Sequence, residues 1–270
     1  MQLELYAKIN FGILLGSLVL CLLLWLCGTT MKYIHSRVTG ALKLPRISRF
    51  GGSCFPHLAD EIYTLLFIIF FATCSLGDIL IKTTEMSAAE SWSAVFFMLF
   101  IYLPMGLRYM SLPIAQIGTT RQNLCKTLIA LLTIYFCISV LTVAGYEQWL
   151  TELTHTPATQ QVADDIGNSE DPLTIAALLI SAIVIAPVME EFAFRGFLYN
   201  ILRGKVGKIA AMLASSLFFA AIHVSLMQTL PLFIFACVQC ILYEKTGSIR
   251  YSILLHATFN TITTIVIFLK

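Results

Sequence analysis

Residues 172–202 read PLTIAALLISAIVIAPVMEEFAFRGFLYNIL. No charge interrupts the run from Pro172 to Met189, and its apolar residues do not alternate with polar ones at the period of a half-buried helix. A helix crossing the hydrocarbon of a bilayer needs about 20 apolar residues at a rise of about 1.5 Å each, so this stretch is long enough to span. Asp171 followed by Pro172 gives it a defined start, with a side-chain acceptor at the N-cap and proline at the first helical position. Glu190, Glu191 and Arg195 stand well inside it, where an ionisable group costs several kcal/mol, roughly 2.5 or more, and usually faces protein or a water cavity for a purpose.

The rest of the chain has the same character. Of 270 residues, 58% are apolar and 12% charged, against about 25% charged in a soluble domain, and the mean hydropathy is +0.85. This excludes a soluble globular domain, a coiled coil and a disordered chain. The balance of 17 basic and 15 acidic residues gives +2, too little for a nucleic-acid partner. Further apolar runs lie near Ile9 to Cys27, Ile62 to Ile81, Trp92 to Leu107, Leu124 to Ala144, Ile209 to Val224, Thr229 to Tyr243 and Tyr251 to Leu269. With Pro172 to about Leu202 they predict an all-α, polytopic membrane bundle of about eight transmembrane helices.

The linkers set the expected sidedness, because short cytoplasmic loops concentrate Lys and Arg. The odd linkers are basic: Lys32, Arg37, Lys43, Arg46 and Arg49 in the first, Arg108 and Arg121 in the third, Arg203, Lys205 and Lys208 in the fifth, Lys245 and Arg250 in the seventh. The even ones are acidic, with Lys82 among Asp78, Glu85 and Glu90, then Glu147, Glu152, Asp164, Asp165, Glu170 and Asp171. Both termini are therefore expected outside, with a first span that is retained and not cleaved. Thr151 to Asp171 reads as an outer loop. The eight cysteines show no disulfide framework, and Cys237-x-x-Cys240 reads as small packing residues on a membrane helix.

The costly polar residues gather in the last hundred positions. Glu191 and Arg195 are four apart and can pair on one helix face, which turns Glu190 about 100° away toward another partner. His223 sits near the end of the sixth span, and His256 and Asn260, also four apart, share a face of the eighth. Counted from the nearest basic residues, Glu190 and His223 lie roughly 20 and 22 Å deep and His256 only roughly 9 Å, a mismatch of about two turns. A carboxylate held away from water takes up a proton more readily, which suits it to activate water. A neighbouring His can position that water, and a second His with an Asn amide can donate to a developing oxyanion. The alternative chemistry is Zn²⁺ held by Glu190, His223 and His256, although no H-E-x-x-H signature is present.

Three motifs carry a resemblance. Glu190-Glu191-Phe-Ala-Phe-Arg195, Phe219-Ala-Ala-Ile-His223 and His256-Ala-Thr-Phe-Asn260 resemble, in order, the E-E-x-x-x-R, F-x-x-x-H and H-x-x-x-N motifs of the CaaX protease and bacteriocin-processing (CPBP, or Abi) intramembrane proteases. Lys245 to Ser248 (Lys-Thr-Gly-Ser) also looks familial. The resemblance covers about residues 172–265, a CPBP-like catalytic bundle, and leaves the spans of residues 1–150 without an assigned role. It implies an endopeptidase in which Glu190 activates water with His223, His256 and Asn260 form the oxyanion site, and Glu191 and Arg195 hold the first motif in shape. It implies no catalytic metal, with zinc as the alternative. The expected substrate is a membrane-embedded or lipid-modified protein or peptide, prenylated CaaX-like ends included, and the protein itself is expected to be a multi-pass protein of a bacterial cell membrane, surrounded by lipid. Two other classes compete: a proton-coupled transporter, which inverted repeats would betray, and a non-cleaving immunity or scaffold protein.

Overall fold

The computed structural model describes residues 2–39, 121–154 and 171–268, with a few helical residues between 64 and 96. Among the described residues all regular structure is helical: α1 (Gln2–Thr39), α2 (Arg121–Val143), α3 (Tyr146–Thr154), α4 (172–206), α5 (Lys208–Ala221), α6 (Leu226–Thr246) and α7 (Ile249–Phe268). Four of these are long and apolar enough to cross a membrane: 7–31 within α1, α2, α4 and α6. The second and third expected spans, the first linker and Cys54 lie largely outside the described residues.

The helix starts follow the local sequence. Asp171 caps α4, its carboxylate accepting from the backbone N–H of Leu173 and Thr174 and from the Thr174 hydroxyl at 2.6 Å. At the other end of α6, Gly247 (φ +68°) takes the left-handed conformation and returns its N–H to Tyr243 O. Of the loop expected over 151–171, residues 151–154 belong instead to α3, and 155–170 lie outside the described residues. Leu150 of α3 packs with Leu226 and Met227, which gives this short amphipathic segment a reason to be helical.

α1 lies antiparallel to α5. Asn10 meets the turn after α5, Cys21 Sγ meets Ala214 O at 3.5 Å, and Thr29 meets Lys205 just before it. Small residues let the helices approach: Ala211 and Ala214 are wholly buried, and a Cβ on Gly28 would collide with Lys205 Cβ. The core proper is aromatic, with Phe194, Phe218, Phe219 and Phe235 buried between α4, α5 and α6.

α4 is not a plain α-helix. Ser181–Ile185 and Phe192–Tyr199 are π-helical, so each frees carbonyls that the α-pattern would satisfy. Ala186 N–H bonds Ser181 O, five residues back, and Pro187 has no N–H to give. The amide of Asn260 on α7 supplies Ala182 O with a donor at 2.7 Å. At the second stretch Asn200 Nδ2 serves Arg195 O and Gly196 O, both at 2.9 Å, and meets the Tyr243 hydroxyl.

Candidate active site

Glu190 and Glu191 end an α-helical turn between the two π stretches, and their side chains part as the helical spacing predicts. Glu191 Oε1 accepts from Arg195 Nη1 at 2.8 Å, both residues being wholly buried. The same oxygen accepts from His256 Nδ1 at 3.0 Å and from Gln239 Nε2 at 3.3 Å. Glu191 is thus more than a counter-ion for Arg195, since it also orients the imidazole of α7. Arg195 has further anchors, a bond to Ala236 O at 3.2 Å and the Phe219 ring 4.8 Å below its guanidinium.

His223 lies two residues past the end of α5 and not within the helix as expected. Its Nδ1 is 2.8 Å from Phe219 O. A carbonyl can only accept, so the proton of a neutral His223 ring sits on Nδ1 and the Nε2 lone pair is left free. In His256 the bond to the Glu191 carboxylate fixes the same tautomer.

Both free nitrogens face one atom. Glu190 Oε2 is 4.0 Å from His223 Nε2 and 3.9 Å from His256 Nε2, and this buried oxygen has no hydrogen-bond partner among the described residues. The walls are apolar: Phe219 packs against both imidazoles, at 4.9 and 6.0 Å between ring centres, and Phe235 stacks edge-on against His256 at 4.9 Å.

Four of the six residues singled out in the sequence, Glu190, Glu191, His223 and His256, therefore come together, with Arg195 directly behind them. Asn260 is one turn along α7 with its amide committed to Ala182 O, which leaves one N–H of that amide for another acceptor. The depth mismatch of two turns does not arise. The turn into α7 is itself inside the bundle, with Ser248, Ile249, Tyr251 and Ser252 all buried, so counting from exposed Arg250 understates the depth of His256. Gln239 escaped notice. It is wholly buried, bridging Glu191 to Ser252 O, and a Gln in mid-span was the available signal.

As a metal site the set is loose. Tetrahedral zinc with bonds of about 2.0–2.1 Å holds its ligand atoms about 3.3 Å apart, closer than the separations here. No cluster of three His, Cys, Asp or Glu among the described residues is spaced to hold an ion. Cys237 and Cys240 are unpaired thiols, and Cys240 is buried against Ser215 and Ser216.

Residues 172–262 match the family model of the type II CAAX prenyl endopeptidase Rce1-like proteins. The match spans every candidate site residue and bears out the resemblance to the CPBP intramembrane proteases carried by the three motifs. No curated protein and no solved structure matches the chain.

Proposed function

We propose that the protein is an intramembrane endopeptidase in which Glu190 is the general base for a water that attacks a peptide carbonyl. The observation that carries the reading is the convergence of His223 Nε2 and His256 Nε2 on Glu190 Oε2. Separations near 4 Å are too long for direct hydrogen bonds and match two bonds of about 2.8 Å to one shared oxygen atom. A water seated between them can donate one hydrogen to Glu190 Oε2 and the other to one of the two imidazole nitrogens, and water is the nucleophile of hydrolysis.

In this mechanism the water oxygen bonds to the carbonyl carbon while its proton passes to Glu190. The negative charge that develops on the carbonyl oxygen meets donors in a site walled by Phe219 and Phe235. Asn260 offers its remaining amide N–H. His256 can donate from Nε2 only when both ring nitrogens carry protons, and Glu191 beside it offsets that charge. Glu190 then returns its proton to the amine nitrogen as the C–N bond breaks, which restores the carboxylate.

The substrate class is a membrane-associated protein or peptide, lipid-modified ends included, because the site lies among helices of membrane-spanning length. Zinc held by Glu190, His223 and His256 is the competing version. The test compares peptides released by membranes carrying wild type with those from Glu190→Gln, which keeps the size of the side chain and removes the proton acceptor. Loss of about 10² to 10⁴-fold in release is expected, unaffected by chelators in the purified protein. Full activity of Glu190→Gln overturns both versions, and cleavage abolished by chelation and restored by Zn²⁺ transfers the proposal to the metal version.

A further inference from the structure

The turn that carries His223 is strained and tied to distant helices. Val224 has φ +51° and is the one non-glycine residue with positive φ among the described residues. A β-branched side chain is disfavoured there, where Asn, Asp and Gly are accommodated. Two carbonyls flank His223, and each is held by a buried side chain from far away in the chain. The Asn10 amide of α1 donates to Val224 O at 3.1 Å, and the Ser75 hydroxyl donates to Ile222 O at 2.7 Å. Asn10 and Ser75 are each 3% exposed, so both are polar groups withdrawn from their surroundings with this turn as their partner, a placement that is costly without such a bond. Among the described residues, the hydrogen bonds that His223 itself makes are from Nδ1 to Phe219 O and from its backbone N–H to Ala220 O, with the Phe219 ring beside the imidazole.

We infer that Asn10 and Ser75 are positioning residues that hold the His223–Val224 turn in its strained form, so that His223 Nε2 faces Glu190. This gives the N-terminal part of the chain a part in the site: α1 runs alongside α5 from Lys205 to the turn and presents Asn10 at its end. The inference rests on the reading proposed above, with His223 positioning the water that Glu190 activates, only for its catalytic consequence; the geometry it asserts can be read without turnover. Strain of this kind persists only where the surroundings over-determine it, and here the surroundings are two named hydrogen bonds.

The experiment uses the full chain in lipid nanodiscs with ¹⁵N-labelled histidine, the His223 signal being identified by its loss in His223→Gln. In wild type the His223 signal should show a single tautomer protonated on Nδ1. In Asn10→Ala/Ser75→Ala the turn relaxes, and that signal should shift toward the average of the two tautomers while the His256 signal stays in place. Adding Val224→Asn, which favours the left-handed conformation without help, should return the His223 signal to its wild-type position. A merely structural role of α1 would not be rescued in this way. Cys21→Ala, which alters the same α1–α5 contact away from the turn, should leave His223 unmoved. Val224→Asn alone should raise the melting temperature. An unchanged His223 signal in the double variant, or failure of Val224→Asn to restore it, overturns the inference. If His223 moves as expected while peptide release is unaltered, the positioning stands and the catalytic role of His223 falls.

Discussion

Glu191 Oε1 lies 3.0 Å from His256 Nδ1, and this one oxygen also holds Arg195 at 2.8 Å. The second carboxylate of the pair thereby links α4 to α7 and sets which nitrogen of His256 faces Glu190. Removing it does two separable things. Glu191→Leu strands Arg195 as a buried charge, which should lower stability by about 3–5 kcal/mol, read as a fall in unfolding midpoint. Arg195→Met in the same chain should recover much of that loss, because replacing both partners with apolar groups costs less than breaking the pair. Peptide release should stay lost in the double variant, since His256 still lacks the acceptor that orients it. A double variant as unstable as the single would show that the pair is not what makes Glu191→Leu unstable.

Asn260 meets two demands at once. Its bond to Ala182 O covers a carbonyl left without a backbone donor by the π-helical register and by Pro187. Asn260→Ala should therefore cost about 1–3 kcal/mol of stability through that carbonyl. If its other N–H also serves the oxyanion, peptide release should fall by roughly 10² to 10³-fold at a temperature where the variant is still folded. A fall in melting temperature with release within about tenfold of wild type would assign Asn260 to the shape of α4 alone.

These two residues show what the sequence discloses and what it does not. Four-residue spacing is enough to place His256 and Asn260 on one face of the α-helical α7 and to pair Glu191 with Arg195, a pairing that holds even though Phe192–Tyr199 is π-helical. The meeting of Glu190 with both histidines was legible only as a requirement, that costly polar groups find partners. The depth of α7 was hidden, because it depends on a buried turn at Ser248 and Ile249 and not on where Arg250 reaches the surface. The π stretches of α4 were hidden as well. Pro187 announces a missing donor but does not say which carbonyl is stranded, and the answer lies on another helix. Gln239 has no motif spacing to betray it and is recognised by its contact with Glu191.

Asp171 provides a pH-dependent element outside the spans. The bonds from the Thr174 hydroxyl and the Leu173 N–H hold its carboxyl below the ordinary carboxylate range. A group whose value is lowered in the folded state stabilises fully above its unfolded value, near 4, and loses that contribution as pH falls through the lower folded value. The first turn of α4 should therefore fray below about pH 4, seen as faster amide exchange at Thr174 and Ile175 relative to the helix interior. Asp171→Asn keeps a capping acceptor and should remove most of this pH dependence while leaving the turn formed at pH 7. Exchange that accelerates equally in Asp171→Asn as the solution is acidified would assign the effect to another group.

The two ends of the bundle differ in a way that sets its expected orientation. At one end Glu244 gathers Arg203 at 2.6 Å and Lys208 at 2.8 Å, Lys126 reaches Lys245 O, and Lys205 reaches Thr29. At the other end stand the Asn10 contact with Val224 O and the Tyr146 hydroxyl on Leu226 O, with Trp149 exposed on α3. Basic groups flanking spans favour the cytoplasmic face, and Trp suits either interface, so the Glu244 end is expected inside and the His223 turn toward the outside. In a cysteine-free background, Lys208→Cys should react with a membrane-impermeant thiol reagent only after the inner face is opened, because the Lys208 side chain is 65% exposed. Trp149→Cys, at a position 60% exposed in wild type, should react in intact cells. The reverse pattern would invert the bundle and put the His223 turn, which lies at the same end as Trp149, toward the cytoplasmic side.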